Sequence, residues 1–251
     1  AIITQAQQIV ADNGLSDRIT LIKGKVEEIT LPVDQVDIIV SEWMGYFLLY
    51  ESMLDTVLYA RDKWLVPGGL LLPDKASLYL TAIEDADYRK EKIEFWDNVY
   101  GFKMGAIKEL ALTEPLVDNV EQNQVISEAT KVLTLDMKTC TKEDLAFKSP
   151  FRMRFMRNDY CHALVAFFDV SFSQIHKPLK FSTGPHARYT HWKQTVFYLR
   201  EAFAVSSGEE ISGEISCAPN SGNPRDLDIT VKVDFNGAVG EYHAENQYRL
   251  R

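Results

Sequence analysis

Val36-Asp37-Ile38-Ile39-Val40 runs directly into Ser41-Glu42-Trp43-Met44-Gly45-Tyr46-Phe47-Leu48-Leu49-Tyr50-Glu51. An almost unbroken aliphatic run of this kind is what a strand covered on both faces of a parallel sheet requires. Downstream, Leu54, Val57, Leu58, Trp64 and Leu65 keep helical spacing. A helix is therefore predicted from about Phe47 to Leu65, stopped by Pro67-Gly68-Gly69. Leu70-Leu71-Leu72 begins a further strand, and strand, helix, strand in that order is a parallel βαβ unit. Upstream, Thr4–Ala11 has helical spacing and ends at Asn13-Gly14, a C-cap signal. Ile19-Thr20-Leu21-Ile22 reads as a short strand. Residues 1–73 are thus expected to form an α/β unit.

The pattern changes after Pro73-Asp74. Strand-like runs follow at Ser77–Ile83, Lys131–Met137, Phe151–Met156, Ala163–Ser173, Gln194–Leu199, Glu210–Cys217, Asp228–Phe235 and near Glu241–Tyr248. Turn residues such as Asn220-Ser221-Gly222-Asn223-Pro224 and Asn236-Gly237 separate them. Many short strands at such spacing predict a mostly antiparallel sandwich or barrel. One segment differs: Tyr88 to Met104 is charged yet carries Tyr88, Ile93, Phe95, Trp96, Val99, Tyr100 and Phe102. That composition suits either a partner surface or docking on its own domain.

The 251 residues hold 46% apolar and 25% charged residues, ordinary for a globular protein of one or two domains. No apolar run reaches the roughly 20 residues of a membrane-spanning helix. Lys and Arg number 27 against 36 Asp and Glu, a formal net charge of −9. This balance argues against non-specific binding of nucleic acid and favours basic ligands, although it also serves solubility alone. Cys140, Cys161 and Cys217 are scattered, with no paired spacing, which points to a reducing compartment and to no zinc site.

Glu42 follows the carboxyl end of the aliphatic strand, the edge at which open α/β sheets bind ligands. Gly45 lets the chain turn sharply, and Glu51 returns in the first turns of the predicted helix, where the dipole favours an anion. Two carboxylates facing one small volume repel unless a cation sits between them. A guanidinium suits that gap, being planar, always charged and able to donate bidentate bonds. The alternatives are a capping role for Glu42 and a solvated helix position for Glu51. Paired carboxylates also serve glycosidases, so the pair alone does not fix a reaction.

These residues resemble a known family. Glu42 and Glu51 bracketing a hairpin look like the double-E loop of the protein arginine N-methyltransferases. Thr190-His191-Trp192 looks like that family's THW loop, and Lys25-Val26-Glu27-Glu28 is similar to the segment that touches the cofactor adenine. The likeness runs from near Ala1 to Arg251 and is nearest to type I enzymes. It implies a partial Rossmann-like methyltransferase domain (1–73) followed by a β-barrel substrate domain (74–251) with a helical dimerisation arm (86–120). It also implies methyl transfer from S-adenosyl-L-methionine to guanidino nitrogens of protein arginines, giving monomethyl and asymmetric dimethyl products. Glu42 and Glu51 would hold the guanidinium, and His191 would accept or relay its proton or position a glutamate. A histidine in such a stretch is otherwise a structural hydrogen-bonder. Lys25, Val26, Glu27, Met53 and Thr56 would contact the cofactor. Met44, Tyr46 and Trp192 would shape the arginine pocket, where Met44 and Met53 imply room for the asymmetric product.

Partners implied by the resemblance are basic Gly/Arg-rich proteins, RNA-binding proteins and histones among them, and a second copy gripped through the arm. No direct contact with nucleic acid or membrane is implied, and the expected location is nucleus and cytoplasm. The family's glycine-rich loop and ribose-binding acid have no counterpart here, since Gly14 and Gly24 form no GxGxG pattern. The chain opens just past them, so these residues alone are expected to bind the cofactor weakly and to be inactive. The rival of a different class is a non-catalytic interaction module on the same fold.

Overall fold

The computed structural model describes residues 2–251. Helix α1 (Ile2–Asp12) is closed by a left-handed glycine cap: Gly14, at φ 64°, and Leu15 donate to the Ala11 and Val10 carbonyls at 3.0 Å. None of its residues is buried. The strand predicted at residues 19–22 does not form. Among the described residues no strand lies beside it, and extended backbone without a neighbour makes no ladder.

Strand β1 (Val36–Val40) pairs in parallel with β2 (Leu65–Leu72), Ile38 opposite Leu70 and Val40 opposite Leu72. The connection runs through α2 (Leu54–Trp64), which buries Leu54, Val57, Leu58 and Trp64. Coverage of β1 on both faces is not what the fold shows. Ile38 and Val40, two apart and so on one face, are 52% and 72% exposed because that face lies open among the described residues, whereas Ile39 on the other face packs against the core. The helix is also shorter than the predicted Phe47–Leu65. Phe47, Leu48, Glu51 and Ser52 have φ of 53°, 65°, 77° and 56°, a conformation no right-handed helix accommodates. Phe47-Leu48-Leu49, whose apolarity imitates helical spacing, is buried in the core instead.

The second half begins with β3 (Lys75–Ile83) and the arm. The arm is an irregular run of α3 (Ala86–Tyr88), a π turn (Arg89–Ile93), a 3-10 turn (Glu94–Asp97) and α4 (Gly105–Thr113). Then come β4 (Leu116–Asp118), β5 (Thr130–Asp136), β6 (Phe147–Arg154), β7 (Asp159–Phe172), β8 (Leu179–Ser182), β9 (Gln194–Val205), β10 (Glu210–Pro219), β11 (Leu227–Asn236) and β12 (Glu241–Leu250). They form two antiparallel sheets, β12-β11-β10-β6 and β4-β9-β7-β3-β5, with β8 added on β7.

The expected barrel is therefore not closed. No ladder joins the sheets among the described residues, and aromatic side chains span the seam. Phe197 packs on Tyr248 and Phe203 on Tyr242, with ring centres 5.0 and 4.8 Å apart, while the Tyr248 hydroxyl donates to the Tyr198 carbonyl at 2.9 Å. Rings of that bulk hold the strands at sandwich spacing, wider than a hydrogen-bonded ladder permits.

One buried cluster runs through both halves, from Trp43, Leu48 and Leu71 to Phe168, Phe197 and Val231. Asp74 sits at the junction, fully buried. Its amide donates to the Ser171 carbonyl at 3.0 Å, its carbonyl accepts from Met137 at 2.9 Å, and its carboxylate accepts from the Ser173 amide at 2.5 Å. Two further ties cross the halves. Arg61 donates to the Met137 and Cys140 carbonyls at 3.0 and 2.7 Å, and Lys142 pairs with Asp55 at 2.7 Å.

Candidate active site

The hairpin after β1 is built on a close main-chain approach. Gly45 donates to the Leu48 carbonyl at 3.0 Å and Tyr50 to the Tyr46 carbonyl at 3.1 Å. A Cβ on Gly45 would lie 1.9 Å from the Tyr50 carbonyl oxygen, so glycine is required there by space; the left-handed angles fall on its neighbours.

This geometry gathers Glu42, Met44, Tyr46, Tyr50 and Glu51 with His191 and Trp192 around one open cleft of about 180 Å³. Strand β1 delivers Glu42 and the hairpin delivers Met44 and Tyr46. Tyr46 stacks on Tyr50, with ring centres 6.2 Å apart and planes at 10°. The segment before β9 supplies the other wall. Trp192 donates its indole N–H to the Met44 carbonyl at 2.8 Å and stacks on Phe181 at 5.5 Å, while the His191 ring lies 4.0 Å from it. Both glutamates and His191 are exposed, so each carboxylate meets the cleft in contact with solvent.

Glu51 is not in the first turn of a helix, because α2 begins only at Leu54. The helix dipole therefore does not hold it. Its amide donates to the Arg225 carbonyl at 3.0 Å, the neighbouring Ser52 hydroxyl donates to the Pro224 carbonyl, and an Arg225 guanidinium nitrogen lies 3.5 Å from its carboxylate.

The five residues assigned to the cofactor lie outside the cleft lining. Two of them meet: the Thr56 hydroxyl donates to the Glu27 carboxylate at 2.6 Å, and Tyr59 donates to the Glu27 carbonyl at 3.1 Å. The Thr56 hydroxyl, then Glu27's own amide, and finally the charge of Lys25 hold this carboxyl below its ordinary value. Lys25 pairs with Glu28 at 3.0 Å and Val26 is half-buried. Met53 is 47% exposed and lines a separate pocket of about 30 Å³ beside Trp43 and Leu48. Thr56 and Glu27 are brought together; Met53 and Met44 are not.

Tyr50, Ser52 and Arg225 belong to this neighbourhood without having been singled out in the sequence. Tyr50 lies inside the quoted stretch, and its stacking partner four positions back was a usable signal. Arg225 carries no local signal, since it approaches from a turn some 170 positions away.

Residues 74–238 match the arginine methyltransferase oligomerization subdomain. Over 250 residues the chain is 61% identical to protein arginine N-methyltransferase 1 of Chlamydomonas reinhardtii, covering all of this chain and 72% of that protein. It is 55% identical over 246 residues to protein arginine N-methyltransferase 1.1 of Arabidopsis thaliana, covering 98% of this chain and 63% of the relative. The chain thus spans between 63% and 72% of the length of these two curated relatives. Among solved structures, the Trypanosoma brucei PRMT1 enzyme–prozyme heterotetrameric complex with AdoHcy superposes with a TM-score of 0.97 at 44% identity, covering all of this chain and 79% of that one. On sequence and fold together, the chain belongs to the protein arginine N-methyltransferase family and is a homologue of protein arginine N-methyltransferase 1.

Proposed function

We propose that the full-length protein carrying this chain transfers methyl groups from S-adenosyl-L-methionine to the terminal guanidino nitrogens of arginines in basic proteins. The observation that carries this reading is the convergence of Glu42, Glu51, His191 and Trp192 on one cleft. Residues 1–73 then act as part of the cofactor-binding domain and 74–251 as the substrate domain. The donor set of the first half suits an adenosine edge: Glu27 offers an acceptor carboxylate braced by Thr56, and half-buried Val26 offers an apolar face. Lys25 and Met53 complete the residues assigned to that group. When bound, it supplies a methyl group activated on a positively charged sulfur.

The chain's own residues do the positioning. A guanidinium between Glu42 and Glu51 gains charge-assisted hydrogen bonds from both. At a spacing of about 4 Å and an effective dielectric near 20, each attraction is about 4 kcal/mol before desolvation is subtracted. The two carboxylates offset the repulsion between guanidinium and sulfonium. By binding two nitrogens they also draw positive charge away from the third, whose lone pair is then freer to attack. The His191 imidazole accepts or relays the proton that the methylated guanidinium sheds. Met44, Tyr46 and Trp192 wall the pocket.

The arm supports self-association. Ile93, Val99 and Leu112 anchor it, while Tyr100, Phe102 and Leu110 stand 95%, 69% and 55% exposed. Bulky side chains presented in that manner fit the face of a second copy in a closed dimer.

The test is Glu42→Gln in the full-length protein, assayed with an arginine- and glycine-rich peptide and labelled methyl donor. Loss of methylation with folding and self-association intact supports catalysis. A variant that methylates as well as the wild type removes the role given to Glu42. A wild-type protein that binds peptides but transfers no methyl favours the interaction module.

A further inference from the structure

The turn between β10 and β11 is braced far more than an exposed loop requires. The Asn220 side-chain oxygen accepts from the Gly222 and Asn223 amides at 2.9 and 3.0 Å, and its amide nitrogen donates to Asp228 at 2.8 Å. Asn223 donates to the buried Asp226 carboxylate at 2.8 Å, which also accepts from Arg249 at 2.8 Å. The outer end of this rigid turn, Pro224-Arg225, touches the only two left-handed residues at the far end of the catalytic hairpin, Glu51 and Ser52. Non-glycine backbone held there is strained and persists only where surrounding contacts enforce it. Two carbonyls of the turn, at Pro224 and Arg225, enforce it by accepting from the Ser52 hydroxyl and the Glu51 amide.

We propose that Arg225 is a positioning residue for Glu51: its main chain fixes where the glutamate leaves the hairpin, and its guanidinium steadies one carboxylate oxygen so that the other is presented to the arginine being methylated. This rests on the proposed function. Arg225 touches neither substrate nor cofactor in this scheme and acts through Glu51 alone. The ion pair is exposed at both ends, 65% and 52% at the side chains, so its contribution to folding stability is small. Its effect is therefore expected in catalysis, where the direction of a carboxylate matters more than its presence. A lysine at this position keeps the charge but loses the planar fork, and should recover part of the function.

The experiment compares wild type, Arg225→Ala and Arg225→Lys in the full-length protein, varying an arginine- and glycine-rich peptide and the methyl donor separately. In Arg225→Ala the kcat/KM for peptide should fall about tenfold, as a reacting carboxylate loses the charge that orients it. The KM for the methyl donor and the melting temperature should stay at wild-type values, and Arg225→Lys should recover a measurable share. An unchanged kcat/KM for peptide overturns the assignment. So does a lower peptide KM, which would make Arg225 a competitor for Glu51, and so does an equal loss in both variants accompanied by a lower melting temperature. Wild-type methylation is the internal control. Its presence beside an unaffected Arg225→Ala sinks this assignment alone, whereas its absence sinks the underlying reading and this assignment with it.

Discussion

The Trp192 indole donates to the main-chain carbonyl of Met44 at 2.8 Å across 148 positions of sequence. This single bond joins the segment bearing His191 to the hairpin that Glu42 and Glu51 bracket, and Phe181 and Phe168 pack around the indole at 5.5 and 5.8 Å. Trp192→Phe keeps most of the packing and removes the donor. It should cost about 1 kcal/mol in urea unfolding. In the full-length protein it should lower kcat for peptide methylation while the KM for the methyl donor stays unchanged, because the residues proposed to contact the cofactor lie elsewhere.

Gly45→Ala tests the close approach in the hairpin. The added methyl meets the Tyr50 carbonyl oxygen at 1.9 Å, backbone against backbone, so the turn must open. A loss of about 1–3 kcal/mol is expected, the size of an overpacked core site. Methylation should fall further than stability predicts, since Glu51 follows Tyr50 directly. Denaturant unfolding beside a peptide assay separates the two effects, and an alanine variant of full activity would contradict the geometry.

Glu27 supplies a pH dependence whose sign is fixed by its partner. Its carboxyl is held below the ordinary value chiefly by the Thr56 hydroxyl, so the contact is fully formed above the unfolded value and is lost as pH falls through the depressed one. Thr56→Val should raise the Glu27 titration midpoint in carboxyl-detected NMR. It should also weaken methyl-donor binding without changing the peptide KM.

The arm carries a second pH dependence. His162, buried beneath its root, accepts from the Asp85 amide at 3.1 Å, and Tyr198 donates to the Asp85 carboxylate at 2.5 Å. Burial, with the charge of Arg89 behind it and Glu84 opposing, pushes the imidazole below its ordinary 6.5. The neutral ring supports the arm above that value, and the support is lost as pH falls through the lowered one. Hydrogen exchange of the arm amides should accelerate on acidification over that range, and His162→Asn, which keeps an acceptor, should flatten the response.

Much of this architecture is written in local patterns. Periodicity locates α1 and the buried face of α2, and the alternating runs after Pro73 locate the long strands of both sheets. What periodicity cannot show is where the chain adopts left-handed angles without glycine. Phe47, Leu48, Glu51 and Ser52 look helical in sequence because their apolar neighbours face a core that only the second half completes. The short strands β4 and β8 escape for a similar reason, being too brief to alternate and stabilised by β9 and β7. Glu42 and Glu51 are legible as a carboxylate pair and His191 and Trp192 through the family likeness, and the fold brings all four to one cleft. Arg225 is not legible, because its relation to Glu51 exists only across the fold.

Asp74 gives the protein no slack between its halves. With the main chain bonded through both the amide and the carbonyl of that residue, and Arg61 and Lys142 reaching from and to α2 across the junction, several contacts would have to break for the cleft to open wide around a bulky guest. Under the proposed activity an arginine then enters from the solvent side, on a flexible tether. The proposed activity should therefore favour tails and loops, and leave the same residue untouched when it sits in a rigid helix or sheet.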